Sequence, residues 1–339
     1  MESMRAYRMT GWGTQPQTTT AEVPSPGPGQ ILIRVAGCGL CRSDLTMPHI
    51  PRAAGEKMGW RMPFTLGHET AGWVAELGSG LRSSDLTLGE PVALVSPASC
   101  GECDFCLRGR DSNCMAGLSG RGYGRDGGLA SFVLAAKRDV LKLGSLDPLT
   151  AGPLTDAGAT AYHAVRRAIP RISPAGTVVV IGAGGLGAFA VQFLRALTAA
   201  TVIAVDLLPA RRSYASSVGA HTVSPDVPRR CGADAVLDFV GTDDTITAGL
   251  KAVRPGGAYG LIGSAGGTFT RPWFGALPRD GEVFTFQGSS IADAREVIAL
   301  TQAGLIRNEV TLYPFDKITT AYEHLSAGTL PTRAVITMR

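Results

Sequence analysis

The sequence of 339 residues is long enough for about two domains, and a hydrophobic share of 45% supports ordinary packed cores. Its formal charge of +4 is spread along the chain without a basic block, which argues against a nucleic-acid partner. The 44 glycines and 21 prolines mark a turn-rich globular chain, and the opening MESMRAYRMTGWG has an acid at position 2 and no apolar segment of the secretory kind, so a cytoplasmic location is expected.

Residues 31–36, 69–77, 90–96 and 130–135 form short alternating or apolar runs separated by glycine, proline and serine, the texture of a β-rich domain with few helices. Within it, Gly39-Leu40-Cys41-Arg42-Ser43-Asp44 and Gly67-His68-Glu69 each set a good zinc ligand beside a glycine and next to an acid able to support it. Taken singly, such a histidine fits a hydrogen-bonded structural role and such a cysteine fits a core position equally well. Met47, Met58, Trp60, Met62 and Phe64 lie between the two motifs and suit either a core or a pocket wall.

The seven cysteines, at 38, 41, 100, 103, 106, 114 and 231, are odd in number and clustered, a pattern that favours metal binding over a disulfide framework. Cys100, Cys103, Cys106 and Cys114 follow CxxCxxCx7C, and four thiolates folded onto one centre make a closed, structural zinc site. An iron–sulfur cluster of the bacterial ferredoxin type would place its fourth cysteine three residues on and before proline, whereas here the gap is seven and Met115 follows.

From about residue 151 the periods lengthen: a helix over Ala157–Ala168, a strand over Thr177–Ile181, a helix over 185–200 and a strand over 201–206. This alternation predicts a doubly wound parallel sheet. The charge-free stretch 177–194 is interrupted by four glycines and reads as strand, turn and buried helix rather than a membrane span. Gly182-Ala183-Gly184-Gly185-Leu186-Gly187 gives GxGxxG between strand and helix, a turn that lets a dinucleotide pyrophosphate approach the helix N-terminus. Asp206 ends the next strand, where a carboxylate binds ribose hydroxyls and repels a 2′-phosphate, favouring NAD over NADP. Arg211 suits stacking on adenine, although Arg211 and Arg212 are also within reach of a 2′-phosphate.

Further strands are predicted over 235–240 and 258–262, helices over 292–303 and 318–326, and a closing strand over 333–338. Only eleven residues, including Pro225 and Pro228, separate Val223 from Ala235, too few for a full helical crossover.

Together CRSD, GHE, the four-cysteine lobe, PLTDAGATAY, VIGAGGLG, VIAVD, DFVG and TRAVI occur in an order that resembles the zinc-dependent medium-chain alcohol dehydrogenases along nearly the whole chain. The resemblance implies a GroES-like β-rich catalytic domain over residues 1–152 and 288–339 and a Rossmann domain over 153–287. It implies a catalytic zinc held by Cys41, His68 and Asp156, with Glu69 beside it, and the Asp156 version looks like the bacterial secondary alcohol dehydrogenases. By the same matching Ser43 relays the substrate proton, but the position where part of the family carries a relay histidine is Thr46 here, with His49 three residues further.

Arg42 and Arg333 are implied to face the pyrophosphate, and Thr160, Val240 and Ile262 to line the nicotinamide half. Trp273 and Phe274 are a second candidate pocket wall. The implied activity is hydride transfer between NAD and a small-molecule secondary alcohol or ketone, with a primary alcohol or aldehyde left open, and with two zinc ions per chain in a homodimer or homotetramer. Two alternatives stay open at this level: an NADP-preferring biosynthetic ketone reductase, and a non-catalytic scaffold that binds zinc or dinucleotide.

Overall fold

The computed structural model describes residues 2–338 apart from 83–85, 117, 118, 271 and 273, so the expectation placed on Trp273 lies outside the described residues. The chain divides into two units, Met1–Asp156 with Ser289–Gln302 and Asn308–Arg339, and Ala157–Gly288 with Ala303–Arg307. No helix among the described residues is long and apolar enough to cross a membrane.

The first unit is built on a sheet in the order Val140–Lys142, Pro91–Leu94, Glu69–Leu77, Gln30–Gly39, Arg333–Thr337 and Val310–Pro314, with Phe132–Ala136 also pairing to Gln30–Gly39. Ile31, Ile33 and Val35 alternate along the long strand and bury against Val74, Val92, Leu94 and Val133, the period expected of a sheet face turned to a core. A second cluster gathers Met9, Leu40, Met47, Trp60, Phe64, Leu66, Leu129, Phe315 and Ile336. Met47, Trp60 and Phe64 are therefore core residues, and Met58 and Met62 pack partly buried against them, so of the two readings open for this stripe the structure takes the core. Strands at Ser3–Met9, Gln17–Glu22 and Val310–Pro314 carry no apolar run because they are half-exposed, and periodicity gives them little signal.

The second unit is a parallel six-stranded sheet ordered Thr222–Ser224, Thr201–Val205, Thr177–Ile181, Ala233–Asp238, Val253–Leu261 and Glu282–Phe284. Counted along the chain this is 3-2-1-4-5-6, the doubly wound order whose switch point lies between the first and fourth strands. Val178, Val179 and Val180 are wholly buried, as strands covered on both faces require. Gly187–Leu197, Pro209–Ser217 and Asp243–Ala252 supply helices, and Thr242 caps the last of them by accepting from the Thr245 amide. Residues 225–232 run without a helix, as the short spacing predicted, and Val227 and Cys231 pack against the sheet in its place.

Asp234 ties this unit together at the foot of its strands. Its carboxylate accepts from the amides of Ser173 at 3.1 Å and Thr177 at 2.9 Å and pairs with Arg254 at 2.7 Å. Burial opposes its ionisation, but Arg254 and the two amides outweigh that and hold it at about 2, below its ordinary 3.8. A depressed folded pKa means stability that is present above the unfolded value and lost as pH falls toward 2, worth about 2 kcal/mol. Asp234→Asn is expected to lower the thermal midpoint at pH 7 and to flatten its fall between pH 4 and 2 in an acid titration followed by circular dichroism; an acid limb identical to that of the parent protein would contradict this.

Candidate active site and metal centres

Three neighbouring strands of the first unit set out the site. Gly39 pairs with Glu69 on one side and with Val335 on the other, so Cys41, just past Gly39, His68, just before Glu69, and Arg333, two residues before Val335, arrive at one end of the sheet. Asp156 follows a short 3-10 turn that packs on the same strands. One donor atom each from Cys41, His68, Glu69 and Asp156 lie within 4.8 Å of one another.

The carboxylate of Glu69 is engaged elsewhere. Arg333 donates to both of its oxygens, through Nε at 3.0 Å and through Nη2, in a buried fork-to-fork pair. Arg333 also lies 3.6 Å from Asp156 Oδ2. That leaves Cys41 Sγ, His68 Nε2 and Asp156 as the available donors, a mixed sulfur, nitrogen and oxygen set that fits zinc and leaves a fourth position open. Asp44 supports two of them: its Oδ2 accepts from the Cys41 amide at 3.0 Å and its Oδ1 lies 3.3 Å from His68 Nδ1, while Tyr322 Oη donates to Oδ2 at 3.2 Å. Among the described residues His68 Nδ1 and Asp44 Oδ1 are buried with no other partner, so they face each other as an imidazole and the carboxylate that orients it.

The charges of the cluster hold each other. Burial pushes the Glu69 carboxyl up to about 7 against the pull of Arg333. Burial also opposes ionisation of Asp156, yet His68 and Arg333 hold it at about 2. For His68 burial favours the neutral ring, and Tyr123, Asp44 and Asp156 outweigh it to raise the imidazole well above its ordinary value. Arg333 is likewise held well above its ordinary value by Glu69 and Cys41 despite burial.

Ser43 lies on the 3-10 turn Arg42–His49, and its Oγ is 2.9 Å from Tyr123 Oη. The Thr46 hydroxyl is spent on the Ser43 carbonyl at 2.7 Å, and His49 is exposed. Arg42 is exposed on the same turn, whereas Arg333 is buried against Glu69. Tyr123 and Tyr322, both touching the site, carry no signal in sequence: each is a lone tyrosine far along the chain from the residue it meets.

In the cysteine lobe the Sγ atoms of Cys100 and Cys106 are 3.9 Å apart, those of Cys103 and Cys114 3.9 Å, and those of Cys114 and Cys100 3.6 Å. A tetrahedron of thiolates at ~2.3 Å from zinc has edges of about 3.8 Å, so these separations match metal ligation and are far too long for disulfides. Backbone amides of Cys100 and Cys103 point at sulfur, and those of Cys106 and Met115 pull the Cys103 thiol down to about 6. Buried Asp111 anchors the lobe, accepting from Arg138 at 2.8 Å and from the Ile291 amide at 3.3 Å.

In the second unit the GxGxxG turn follows Thr177–Ile181. Gly182 has φ of +84°, and a Cβ on Gly187 would sit 1.8 Å from the Gly182 carbonyl oxygen, so neither position accepts a side chain. Gly184, Gly185 and Leu186 complete the turn before the helix Gly187–Leu197. Asp206 closes the loop from the other side, its Oδ2 accepting from the Ala183 amide and its Oδ1 from the Leu208 amide, both at 2.9 Å. Arg211 lies 3.8 Å from Asp206, and Arg212 is bonded to the carbonyls of Asp206 and Leu207, each at 2.8 Å. Val240 and Ile262 follow adjacent strand ends and are joined through Asp238, which accepts from the Val240 amide by its side chain and from the Ile262 amide by its carbonyl. Thr160 is buried in Ala157–Ala168, and Phe274 is 81% exposed.

Comparison with known proteins agrees with this geometry. Residues 27–145 match the alcohol dehydrogenase GroES-like domain and residues 185–303 the zinc-binding dehydrogenase domain. The chain is 32% identical to an NAD-dependent alcohol dehydrogenase of Sulfurisphaera tokodaii over 91% of its length and 92% of the relative's. It is 30% identical to a D-arabinose 1-dehydrogenase (NADP(+)) of Saccharolobus solfataricus over 93% of its length and 92% of the relative's. Among solved structures it is similar to an alcohol dehydrogenase of Aeropyrum pernix, with TM-score 0.90 and 30% identity over 98% of this chain and 100% of that one.

Cys103→Ser is expected to remove one zinc ion per chain, read by elemental analysis, and to lower the thermal midpoint while leaving the metal at Cys41 and His68; an unchanged metal count would contradict ligation by the lobe.

Proposed function

Since the chain belongs to the zinc-dependent medium-chain alcohol dehydrogenases, we propose that it transfers a hydride between NAD(H) and a secondary alcohol or ketone, with two zinc ions per chain. The observation that carries this is the donor set of Cys41, His68 and Asp156 gathered around one point while Glu69 is tied to Arg333. When bound there, zinc supplies positive charge that favours negative charge on the substrate oxygen, and the nicotinamide exchanges hydride with the carbonyl carbon.

The residues of the chain do the rest. Asp44 fixes the imidazole of His68 and the backbone of Cys41. Arg333 balances the buried carboxylate of Glu69 and lies beside the partly buried Asp156. Ser43 is the hydroxyl assigned to take the substrate proton; the Thr46 hydroxyl is bonded to the Ser43 carbonyl and His49 is exposed, so the histidine route of part of the family has no counterpart at position 46. The glycine turn at 182–187 offers backbone amides to the cofactor pyrophosphate, and Thr160, Val240 and Ile262 are assigned to the nicotinamide half.

NAD is favoured over NADP because Asp206 is the acid at the ribose position and Arg212 is committed to backbone carbonyls, while Arg211 faces Asp206 itself. A homo-oligomer is favoured by the outer edge of Glu282–Phe284, which no described strand pairs, and by exposed Phe274 in the segment before it. Five cysteines gathered as metal donors suit a reducing cytoplasm.

The test is cofactor-resolved turnover of the purified zinc-loaded protein with a panel of ketones. NADH is expected to support turnover, and Asp206→Asn to weaken NAD about tenfold or more, the worth of hydrogen bonds to a carboxylate, with NADP unchanged or improved. Equal loss with both cofactors would remove Asp206 from the ribose site, and absence of turnover with either would remove the dehydrogenase reading.

A further inference from the structure

The loop carrying Tyr123 is built to bring one side chain to the metal donors. Gly122 and Gly124, on either side, have φ of +73° and +77°, in the left-handed region. A Cβ on Gly122 would lie 2.8 Å from the Gly67 carbonyl carbon, and one on Gly124 2.6 Å from Trp60 Cα, so the loop is wedged between the strand that delivers His68 and the buried Trp60. The Tyr123 ring lies tilted on His68, with centroids 4.6 Å apart, and 6.4 Å from the Trp60 ring. Its Oη is 2.9 Å from Ser43 Oγ and 3.2 Å from His68 Nε2, which in turn is 3.5 Å from Asp156 Oδ2.

His68 Nε2 has one lone pair, which serves either the phenol O–H or a metal but not both. The Tyr123 and Ser43 hydroxyls carry two protons between them, and the 2.9 Å bond they share uses one. With His68 Nε2 committed to a metal the second proton has no acceptor among these residues, which is costly, and an oxygen bound beside the pair satisfies it. Resting on the dehydrogenase reading above, we propose that Tyr123 is a positioning residue whose hydroxyl, paired with that of Ser43, hydrogen-bonds the substrate oxygen and sets its orientation. The hydroxyl pair then presents one O–H to that oxygen.

The test uses Tyr123→Phe, which keeps the ring packing and removes only the hydroxyl, in the full-length protein with zinc or with cobalt(II) exchanged into the site. Trifluoroethanol, an alcohol that resists oxidation, serves as the binding probe with NAD+, read from the visible absorption of the cobalt form, alongside kcat and KM with a ketone that the parent protein turns over. The proposal expects an unchanged metal count, trifluoroethanol affinity about tenfold weaker as for a lost hydrogen bond, and a double variant with Ser43→Ala whose loss is smaller than the product of the single losses, because the two hydroxyls share one bond.

Unchanged trifluoroethanol affinity, or single losses that simply multiply, would overturn it. Loss of metal from Tyr123→Phe would overturn it too, by showing that the phenol only supports His68. Should Tyr123→Phe not accumulate folded, Tyr123→Met also removes the hydroxyl and gives the same readings. A parent protein that neither turns over a ketone nor changes its cobalt spectrum with trifluoroethanol would overturn the dehydrogenase reading, an outcome distinct from an active parent whose variants are unaffected.

Discussion

A buried guanidinium paired with a buried acid is the constraint on which the first unit depends. Arg333, Glu69 and Asp156 are packed at the end of three adjacent strands, and each is tolerable there only because the others are present. Removing Arg333 would leave the buried Glu69 carboxylate unpaired, and removing Glu69 would leave Arg333 free to compete with a metal for Asp156. The strand Arg333–Thr337 therefore does more than close the sheet: its pairing with Gln30–Gly39 carries the neutralising charge from the end of the chain to a site assembled from residues 41 to 156.

The two cysteine-containing sites show how donor chemistry follows from surroundings. In the lobe, sulfur is partnered by backbone amides that favour thiolate, and four equivalent ligands close around one point. At Cys41 the donors are mixed, the supporting partners are the side chains of Asp44, Tyr322 and Arg333, and the fourth position is left to a guest. The first arrangement suits a structural role and the second suits chemistry, although both draw on the same metal.

What the sequence made legible was whatever depends on local spacing. The CxxCxxCx7C lobe, the GxGxxG turn with Asp206, the helix Ala157–Ala168 and the missing crossover helix are all decided within a few dozen residues. The Arg333–Glu69 pair was not legible, since its partners are 264 positions apart and Arg333 reads equally well as a phosphate ligand. Tyr123 was hidden for the same reason, because its meaning depends on a loop that folds back on His68. The stripe of Met47, Trp60 and Phe64 was legible only as a choice: apolar residues near a metal motif suit a wall or a core, and tertiary packing placed them in the core. Asp156 lies at the last position of the first unit, beyond the boundary at residue 152 that the change of texture suggested.

The central claim is that one chain holds two zinc ions in two different coordination shells, five thiolates being shared between them. X-ray absorption at the zinc edge of the fully loaded protein tests this directly. The account predicts a mixed first shell, with sulfur near ~2.3 Å and lighter nitrogen or oxygen scatterers near ~2.0 Å, the lighter ones vanishing when His68 and Asp156 are replaced together. A shell of sulfur alone in the unmodified protein would contradict it.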